Sequence, residues 1–360
     1  MPKFQNEILG MLQPADLLST GFQITRPNDP LEGLFDDMQT QNLVATYHTI
    51  ASEYLIPQMA QFHAFDVEAQ KSIPVPMTEH NIEKGLIKVK RNTSERLREL
   101  MGRGVTVEAE LYNYITDFAA ELADQVVTRS KVARAEVLAT GKMTIKENDL
   151  DITIDYGVPA DHLNLTLDFG AGAAEDIPTQ LQDIVDQAAD SGVTISGMVC
   201  SRSTLTKMRQ NVAIQKAING VNMQGVLVSA NSLRAWLDDE FGISTVITDD
   251  LSYSLPYTMG DDGRPTVHSH RYFPKNVVSF FGTSNGMKLG SSLWGVPPEV
   301  DIARFYEVGA STENPYVYMT QWAETDPAVL WTKASALYIP VLYSPHSLYV
   351  AKVVDGADSE

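Results

Sequence analysis

The sequence contains very little cysteine and no long hydrophobic run. Its single cysteine, Cys200, excludes an intrachain disulfide, and its place in the apolar run GMVCS predicts a small buried side chain rather than a nucleophile. No stretch approaches the roughly 20 apolar residues of a membrane-spanning helix, and the N-terminal residues lack the apolar core of a signal peptide. We therefore expect the protein to fold in a reducing cytoplasm and to have no membrane partner.

Positive charge is also scarce. The chain has 27 lysines and arginines against 46 aspartates and glutamates, which gives a formal net charge of −19. A chain of this charge repels nucleic acid and anionic membranes as a whole, which argues against a sequence-reading DNA-binding role. With 360 residues, 44% of them hydrophobic, the composition is that of an ordinary globular protein with two or three lobes.

Catalytic signatures are few. No phosphate-binding loop, dinucleotide-binding glycine motif or His-Glu-x-x-His pair occurs. Gly282, Ser284 and Gly286 have the spacing of a hydrolase nucleophile elbow, and His346 is the only later histidine. The elbow requires a following helix, whereas MKLGSSLWG contains two further glycines and no helical stripe. A hairpin turn is the preferred prediction, and a serine hydrolase using Ser284 is kept as an alternative.

A metal site is not predicted either. His268 and His270 are two residues apart in a polar stretch that also contains Asp261 and Asp262. A structural or catalytic metal needs three or four ligands in a set geometry, and a pair of loop histidines is more often solvent-exposed. We predict no metal, no cofactor and no catalytic residues.

The dominant feature of the sequence is a long helical pattern from Thr106 to Thr140. Apolar side chains recur at steps of three and four or their sum, with no proline between them. Thr106 is a candidate N-cap, and Gly141 is a candidate for the position after the C-cap. Such a helix is about 50 Å long and spans a molecule. A hairpin of two helices, broken near Thr128 and Ser130, is the alternative.

The segments on either side of this helix contain strand patterns. Residues 1–42 are short apolar pieces separated by breakers, which predicts an arm that lies on another surface. Between residues 56 and 90, FHAFDVE and GLIKVKR alternate apolar and polar residues around the polar TEHNIEKG, which predicts a hairpin that either folds back or projects.

The residues after Gly141 alternate between strand and helix patterns. A strand hairpin comes first, and an α/β lobe begins near residue 171. Within the lobe, IPTQLQDIVDQAADSG predicts a helix, VTISGMVCS a strand and STLTKMRQNVAIQKAI one further helix. YTMGDDGRPTVHSHRYFP predicts a loop and SLWGVPPEV a turn-rich segment. The last predicted elements are two strands in TKASALYIPVLYSPHSLYVAKVV, joined around residues 343–345.

These elements, in this order, resemble the lambda-like major capsid protein E family of tailed bacteriophages, which has the Hong Kong 97-type fold. The resemblance rests on the arm, the hairpin before the long helix, and VTRSKVARAEVLATGKMTIKENDLDITIDYGVP, where helix passes into a strand hairpin. It continues in FPKNVVSFFGTSNGMKLG and in the C-terminal strand pair KASALYIPVLYSPHSLYVAKVVD, and it covers nearly the whole chain.

The resemblance implies an α+β fold with a defined domain map. We expect an N-terminal arm (1–55), an E-loop hairpin (56–90), a peripheral domain (91–170) with the spine helix (106–140), an axial domain (171–300) and C-terminal strands of the peripheral domain (301–360).

The resemblance also implies a shell-forming structural protein that assembles as hexamers and pentamers into an icosahedral head. We expect subunit contacts at Phe62, Phe65, Val67, Ile8, Leu9 and Leu12. Expected partners are a separate scaffolding protein, a portal, a decoration protein and non-specifically contacted double-stranded DNA. The protein would be located in the virion after assembly in the host bacterial cytoplasm. An encapsulin-like nanocompartment shell is the alternative in the same fold. The sequence gives no reason to predict a lysine crosslink between subunits.

Overall fold

The structure is a computed structural model, and it describes most of the chain from residue 29 onward. The described residues are 29–50, 56, 59–63, 65, 68, 71, 74–93, 107–147, 149–170, 177–220, 226–256, 258–259, 265–266, 268–283, 289–301, 307–310, 316–326 and 328–355. The predicted N-cap Thr106 lies outside these residues.

Helices and strands both contribute to the fold, as predicted. The helices are α1 (Val107–Thr140), α2 (Ala160–Leu163), α3 (Ile177–Asp190), α4 (Arg202–Gln210), α5 (Val212–Asn219) and α6 (Ala230–Phe241). The strands are β1 (Phe35–Thr40), β2 (Val44–Ile50), β3 (Met77–Glu83), β4 (Gly85–Thr93), β5 (Lys142–Glu147), β6 (Leu150–Asp155), β7 (Leu165–Asp168), β8 (Thr194–Cys200), β9 (Thr245–Thr248), β10 (Ser252–Ser254), β11 (Thr258–Met259), β12 (Pro265–Thr266), β13 (Ser269–Arg271), β14 (Val277–Thr283), β15 (Gly290–Gly295), β16 (Glu307–Ala310), β17 (Tyr318–Thr325), β18 (Ala328–Leu342) and β19 (Leu348–Val354).

The long helix is continuous over 34 residues, so the alternative of a two-helix hairpin is wrong. Its predicted stripe is confirmed where side chains are described, because Leu122, Val126 and Val137 are buried. The helix ends at Gly141, whose amide donates to the carbonyl of Val137 at 2.8 Å. Gly141 has φ +70°, a conformation that favours glycine, so the predicted stop signal is confirmed.

The first sheet forms around the long strand β18. Its strand order is β1-β15-β18-β17-β16, and β4 also pairs with β18. Strand β17 lies along one edge of β18, while β4 and β15 follow one another along the other edge. Helix α1 packs across β4 and β18, where the small residues Ala334 and Ala336 are fully buried. The side chains of the helix and the sheet form one hydrophobic core.

The second sheet has the order β7-β19-β14-β8-β9 and a separate core with α3, α4, α5 and α6. The predicted helix in IPTQLQDIVDQAADSG and the predicted strand VTISGMVCS are confirmed as α3 and β8. Strands β8 and β9 pair in parallel, which requires the crossover that α4, α5 and α6 occupy. Two strands of this sheet, β7 and β19, come from outside residues 171–300.

The predicted pairing within residues 56–90 is wrong. Described residues of FHAFDVE form no strand, and TEHNIE, predicted as a turn, lies in β3. Strand β3 pairs with β2, and the strand predicted in GLIKVKR pairs with β18 instead. The β-branched residues of β2 and its buried Ala45 and Tyr47 favour this partner over the more polar FHAFDVE.

Three further predictions need correction. STLTKMRQNVAIQKAI forms two helices, because the Asn211 side chain accepts hydrogen bonds from the amides of Ala213 and Ile214 and caps α5. SLWG lies in the buried strand β15. A Cβ on Gly290 would lie 2.3 Å from the carbonyl oxygen of Val341, so this glycine permits close strand packing and does not mark a turn. The predicted loop around residues 257–274 contains β11, β12 and β13.

The two predicted C-terminal strands exist, but they do not pair with each other. Strand β18 belongs to the first sheet and β19 to the second. A 3-10 turn at Pro345–Ser347 carries the chain between them. From the strand pattern alone, the two strands are expected to pair with each other. In the structure each strand is buried in a different sheet, so they are not hydrogen-bonded neighbours.

Candidate assembly surfaces

The segment before β3 exposes large apolar side chains. Among its described residues, Phe62 is 106% and Phe65 is 99% exposed, and Met59 is also exposed. Each buried phenylalanine contributes roughly 1.5–3 kcal/mol of transfer free energy, which these two rings do not gain within one subunit. Fully exposed rings in one short segment are typical of a surface that a partner covers. Of the other predicted contact residues, Val67, Ile8, Leu9 and Leu12 lie outside the described residues.

The base of this segment is a ribbon of β2 and β3 held by polar contacts. The Tyr47 ring stacks on His80 at 5.0 Å, and Thr49 Oγ1 lies 2.8 Å from His80 Nε2. At the end of the ribbon, Lys84 is 3% exposed, and its ammonium donates to Thr40 Oγ1 and to the carbonyl of Asn42. Burial lowers the pKa of the Lys84 ammonium. The ribbon therefore joins the first sheet through a buried lysine, which the sequence pattern did not reveal.

The described part of the predicted arm is tied to helix α1 by a buried ion pair. Arg134 Nη2 lies 2.7 Å from Asp29 Oδ2, and the side chains are 4% and 6% exposed. Asp29 Oδ1 also accepts the amide hydrogen of Leu31 at 3.0 Å. Asp29 is the first residue that the structure describes, and the pair holds it against the long helix. No local sequence signal pairs Arg134 with a residue 105 positions earlier.

A buried hydroxyl of the second sheet is hydrogen-bonded to helix α1. Ser279 of β14 is fully buried, and its Oγ donates to the carbonyl of Leu138 at 2.6 Å. This carbonyl belongs to the last turn of α1, where backbone acceptors lack helical partners. The contact fixes the second sheet at the C-terminal end of the long helix.

The described elements on either side of Ser284 lack the strand-turn-helix arrangement of a nucleophile elbow. Ser284 lies outside the described residues, and the next described element is strand β15 rather than the helix that a nucleophile elbow requires. His346 is half-buried, and burial lowers the pKa of its ring. Cys200 is fully buried, and burial raises the pKa of its thiol to about 12, so it is a core residue as predicted.

The described candidate metal residues belong to no group of potential ligands that could hold a metal ion. His268 and His270 are exposed, and the His270 ring lies 5.8 Å from the Tyr253 ring. Asp261 and Asp262 lie outside the described residues. In the part of the chain that the structure describes, no group of three or more potential ligands could hold a metal ion. No helix in that same part is long and apolar enough to cross a bilayer.

Two histidines lie near the turn between the sheets. The His162 ring stacks on Tyr349 at 4.0 Å and is 3% exposed. Burial is the main cause that lowers the pKa of His162, and the neighbouring His346 ring lowers it further, against the opposing effects of Asp161 and of the hydrogen bond with the Leu348 backbone. Both histidines therefore favour their neutral form in the folded protein.

This arrangement predicts a stability that falls in mild acid. The unfolded chain takes up protons near the usual histidine pKa of about 6.5, whereas the folded chain does so only at lower pH. The contribution of the two histidines to the free energy of unfolding is therefore fully present above about pH 6.5. It is lost as the pH falls toward their lowered pKa values in the folded protein. Each histidine contributes a slope of at most about 1.4 kcal/mol per pH unit.

Chemical denaturation between pH 7.5 and 5 measures this slope. A His162→Gln variant should lose part of the slope, whereas a variant of the exposed His268 should keep all of it. An unchanged slope in His162→Gln would contradict the assignment.

Comparisons with known proteins identify the family. The model of the family described as phage major capsid protein E matches residues 88–353. No curated protein sequence matches the chain. A crystal structure designated as the capsid protein of a prophage from Escherichia coli CFT073 is 12% identical, with a TM-score of 0.54 over 95% of this chain and 99% of that chain.

Other solved structures are similar at lower scores. A phage-related protein from Bordetella bronchiseptica RB50 is 10% identical, with a TM-score of 0.49 over 94% of this chain and 96% of that chain. The capsid of cyanophage A-1(L) is 10% identical, with a TM-score of 0.48 over 91% and 93%. The prophage structure supports the predicted Hong Kong 97-type fold. Since the family match covers most of the sequence, the chain belongs to the phage major capsid protein E family.

Proposed function

We propose that this chain is the major head protein of a bacteriophage and assembles as hexamers and pentamers into an icosahedral shell around the genome. The observation that carries this proposal is the family match over residues 88–353, since the family consists of structural coat proteins located in the virion. The exposed rings of Phe62 and Phe65 support it, because a neighbouring subunit would bury them.

The domain map predicted from the resemblance is part of the proposal. The first sheet with α1 forms one core and the second sheet with its helices forms another, in support of a peripheral and an axial domain. The limits 91–170, 171–300 and 301–360 remain a prediction, since β7 and β19 join the second sheet from both sides of the middle segment. The arm (1–55) and the E-loop (56–90) would reach across to neighbouring subunits.

We further infer that the partners of this chain are the proteins that take part in the assembly of a phage head. A separate scaffolding protein would guide assembly in the host bacterial cytoplasm, a portal would occupy one vertex, and a decoration protein would bind outside. The lining would lie close to the packaged double-stranded DNA without binding it tightly, consistent with a net charge of −19. We infer no catalytic role, so Ser284→Ala should assemble as the wild type does.

Expression of the chain alone and with a candidate scaffold tests the assembly. Size-exclusion chromatography and negative-stain electron microscopy should show rings, tubes or closed shells. A clean monomer at high concentration in both samples would contradict the proposal. Particles that contain phage DNA after packaging would separate a phage head from the encapsulin-like alternative, which would hold a protein cargo.

Replacement of the exposed rings tests how the subunits meet. We expect Phe62→Asp combined with Phe65→Asp to abolish shells, because each carboxylate would enter a contact that favours apolar groups. Circular dichroism should remain unchanged, since the rings are exposed in the subunit. Phe62→Tyr with Phe65→Tyr keeps the aromatic rings and should retain assembly. Normal shells from the aspartate variant would show that these rings are not subunit contacts.

A further inference from the structure

One face of the first sheet combines lysines with tryptophans. This Lys-Trp face consists of Lys88 and Lys90 on β4, Trp322 on β17, and Trp331 and Lys333 on β18. The cross-strand register places Lys90 opposite Lys333 and Trp322 opposite Trp331. The five side chains therefore form a continuous surface across three neighbouring strands.

The Lys-Trp face lies on the side of the sheet opposite to helix α1. Successive side chains of a strand point to opposite faces, so Trp331 and Lys333 face away from Ala334. Ala334 is buried in the core that the sheet shares with α1. Lys88 and Lys90 are exposed, and Trp331 and Lys333 are half-buried.

The lysines on this face are held close together in spite of their repulsion. Like charges directly opposite one another destabilise a strand pair, and Lys90 and Lys333 occupy such positions. The Lys90 ammonium lies 4.3 Å from the centroid of the Trp331 ring, and that of Lys333 lies 5.9 Å from the Trp322 ring. Both rings attract cations and so offset part of the repulsion.

This face already binds one carboxylate within the subunit. Lys333 Nζ donates to Glu299 Oε1 at 2.7 Å, and Glu299 is 6% exposed. Burial opposes ionisation of Glu299, but the hydrogen bonds from Lys333 and the backbone, with the charges of Lys333 and Lys88, outweigh it and lower the pKa of the carboxyl. The indole N–H of Trp331 is buried without a hydrogen-bond partner among the described residues.

A positively charged surface on an acidic chain offsets part of the repulsion between subunits of an assembly. Copies with a net charge of −19 repel one another, and a shell requires many of them in contact. Opposite charges across an interface offset this repulsion and select the correct contact. Tryptophan is enriched among the residues that dominate interface energies. Three lysines are too few to hold a DNA duplex firmly, since affinity grows with the number of phosphates neutralised.

We propose that the Lys-Trp face is a docking surface for acidic side chains of a second copy of this chain. The inference rests on the proposed shell function. Lys88 and Lys90 would pair with carboxylates of the neighbouring subunit, and the two indole rings would supply the apolar centre of the contact.

Charge reversal on this face is the test, with a matched control elsewhere. Lys88→Glu with Lys90→Glu should raise the protein concentration needed for half-maximal shell formation by about tenfold or more. Lys146→Glu with Lys352→Glu changes the net charge equally at two exposed lysines outside the face, and should shift that concentration by less than about twofold. Lys88→Arg with Lys90→Arg should assemble as the wild type does.

The outcomes separate this inference from the proposed function. One outcome is that the wild type forms shells while Lys88→Glu with Lys90→Glu needs no higher protein concentration than the control variant. That result would overturn the proposed docking surface and leave the proposed function intact. Normal assembly of that variant with weaker binding to a DNA duplex would assign the face to nucleic acid and also overturn it. A wild type that forms no assemblies, even with scaffold, would overturn the function and the inference together.

Discussion

Replacement of Arg134 by methionine is expected to lower the free energy of unfolding by about 3–5 kcal/mol. The guanidinium lies 2.7 Å from Asp29 with both side chains nearly inaccessible, so its removal leaves a buried carboxylate without a cation. Asp37, whose carboxylate accepts the indole N–H of Trp294 at 2.8 Å, also loses a cation 3.8 Å away. Equilibrium denaturation in urea measures the loss.

A second ion pair provides the control for Arg134. Arg202 lies 3.5 Å from Asp250, but its side chain is 80% exposed. Because solvent screens such a pair, Arg202→Met should change stability by less than about 1 kcal/mol. Equal effects of the two substitutions would contradict the assignment of Arg134 as a buried anchor. Arg134→Met combined with Asp29→Leu should recover part of the loss, because the most deeply buried carboxylate is then removed together with its cation.

Truncation of Phe280 to alanine is expected to cost about 3–5 kcal/mol as well. Phe280 is 1% exposed on β14, between β8 and β19 in the centre of the second sheet. Its replacement removes most of a ring from the second core and leaves a cavity that the surrounding strands fill only in part. Thermal and urea denaturation should both report the change.

The exposed Phe62 provides the matched control for Phe280. The same substitution at Phe62 removes no contact within the subunit, so stability should change by less than about 0.5 kcal/mol. Its effect should appear in assembly, where Phe62→Ala weakens the proposed subunit contact. A large loss of stability on substitution of Phe62, or no loss on substitution of Phe280, would contradict the assignment of Phe62 to an exposed surface and of Phe280 to the second core.

Local sequence patterns predicted the elements that have both a regular apolar spacing and recognisable end residues. The long helix, α3 and β8 were found because their apolar spacing and end residues agree with one another. The break between α4 and α5 was missed, although Asn211 before an apolar run is a recognised helix cap. Strand β15 was missed because its glycines favour a turn in isolation and permit close packing only beside β18.

Of the candidate surfaces, the sequence predicted one and not the other, because sequence patterns are local. Phe62 and Phe65 could be proposed as contacts because they belong to a segment with few residues to pack against. The Lys-Trp face could not be proposed, because its members come from segments more than 200 residues apart. Lys84 and Arg134 likewise have partners 42 or more positions away, so no local pattern distinguishes them from exposed bases.

The sequence by itself determined the acidic character of this protein, its long helix and the order of its elements, because composition and periodicity act over short stretches of chain. The order of the elements and the segments quoted for it resemble the phage major capsid protein E family, and the family match confirms that resemblance. Only the tertiary structure decided which strands pair, how β18 and β19 separate into two sheets, and where the few buried charges lie. Pairing and burial are decided by the free energy of the whole core, in which residues distant in sequence compete for the same partners.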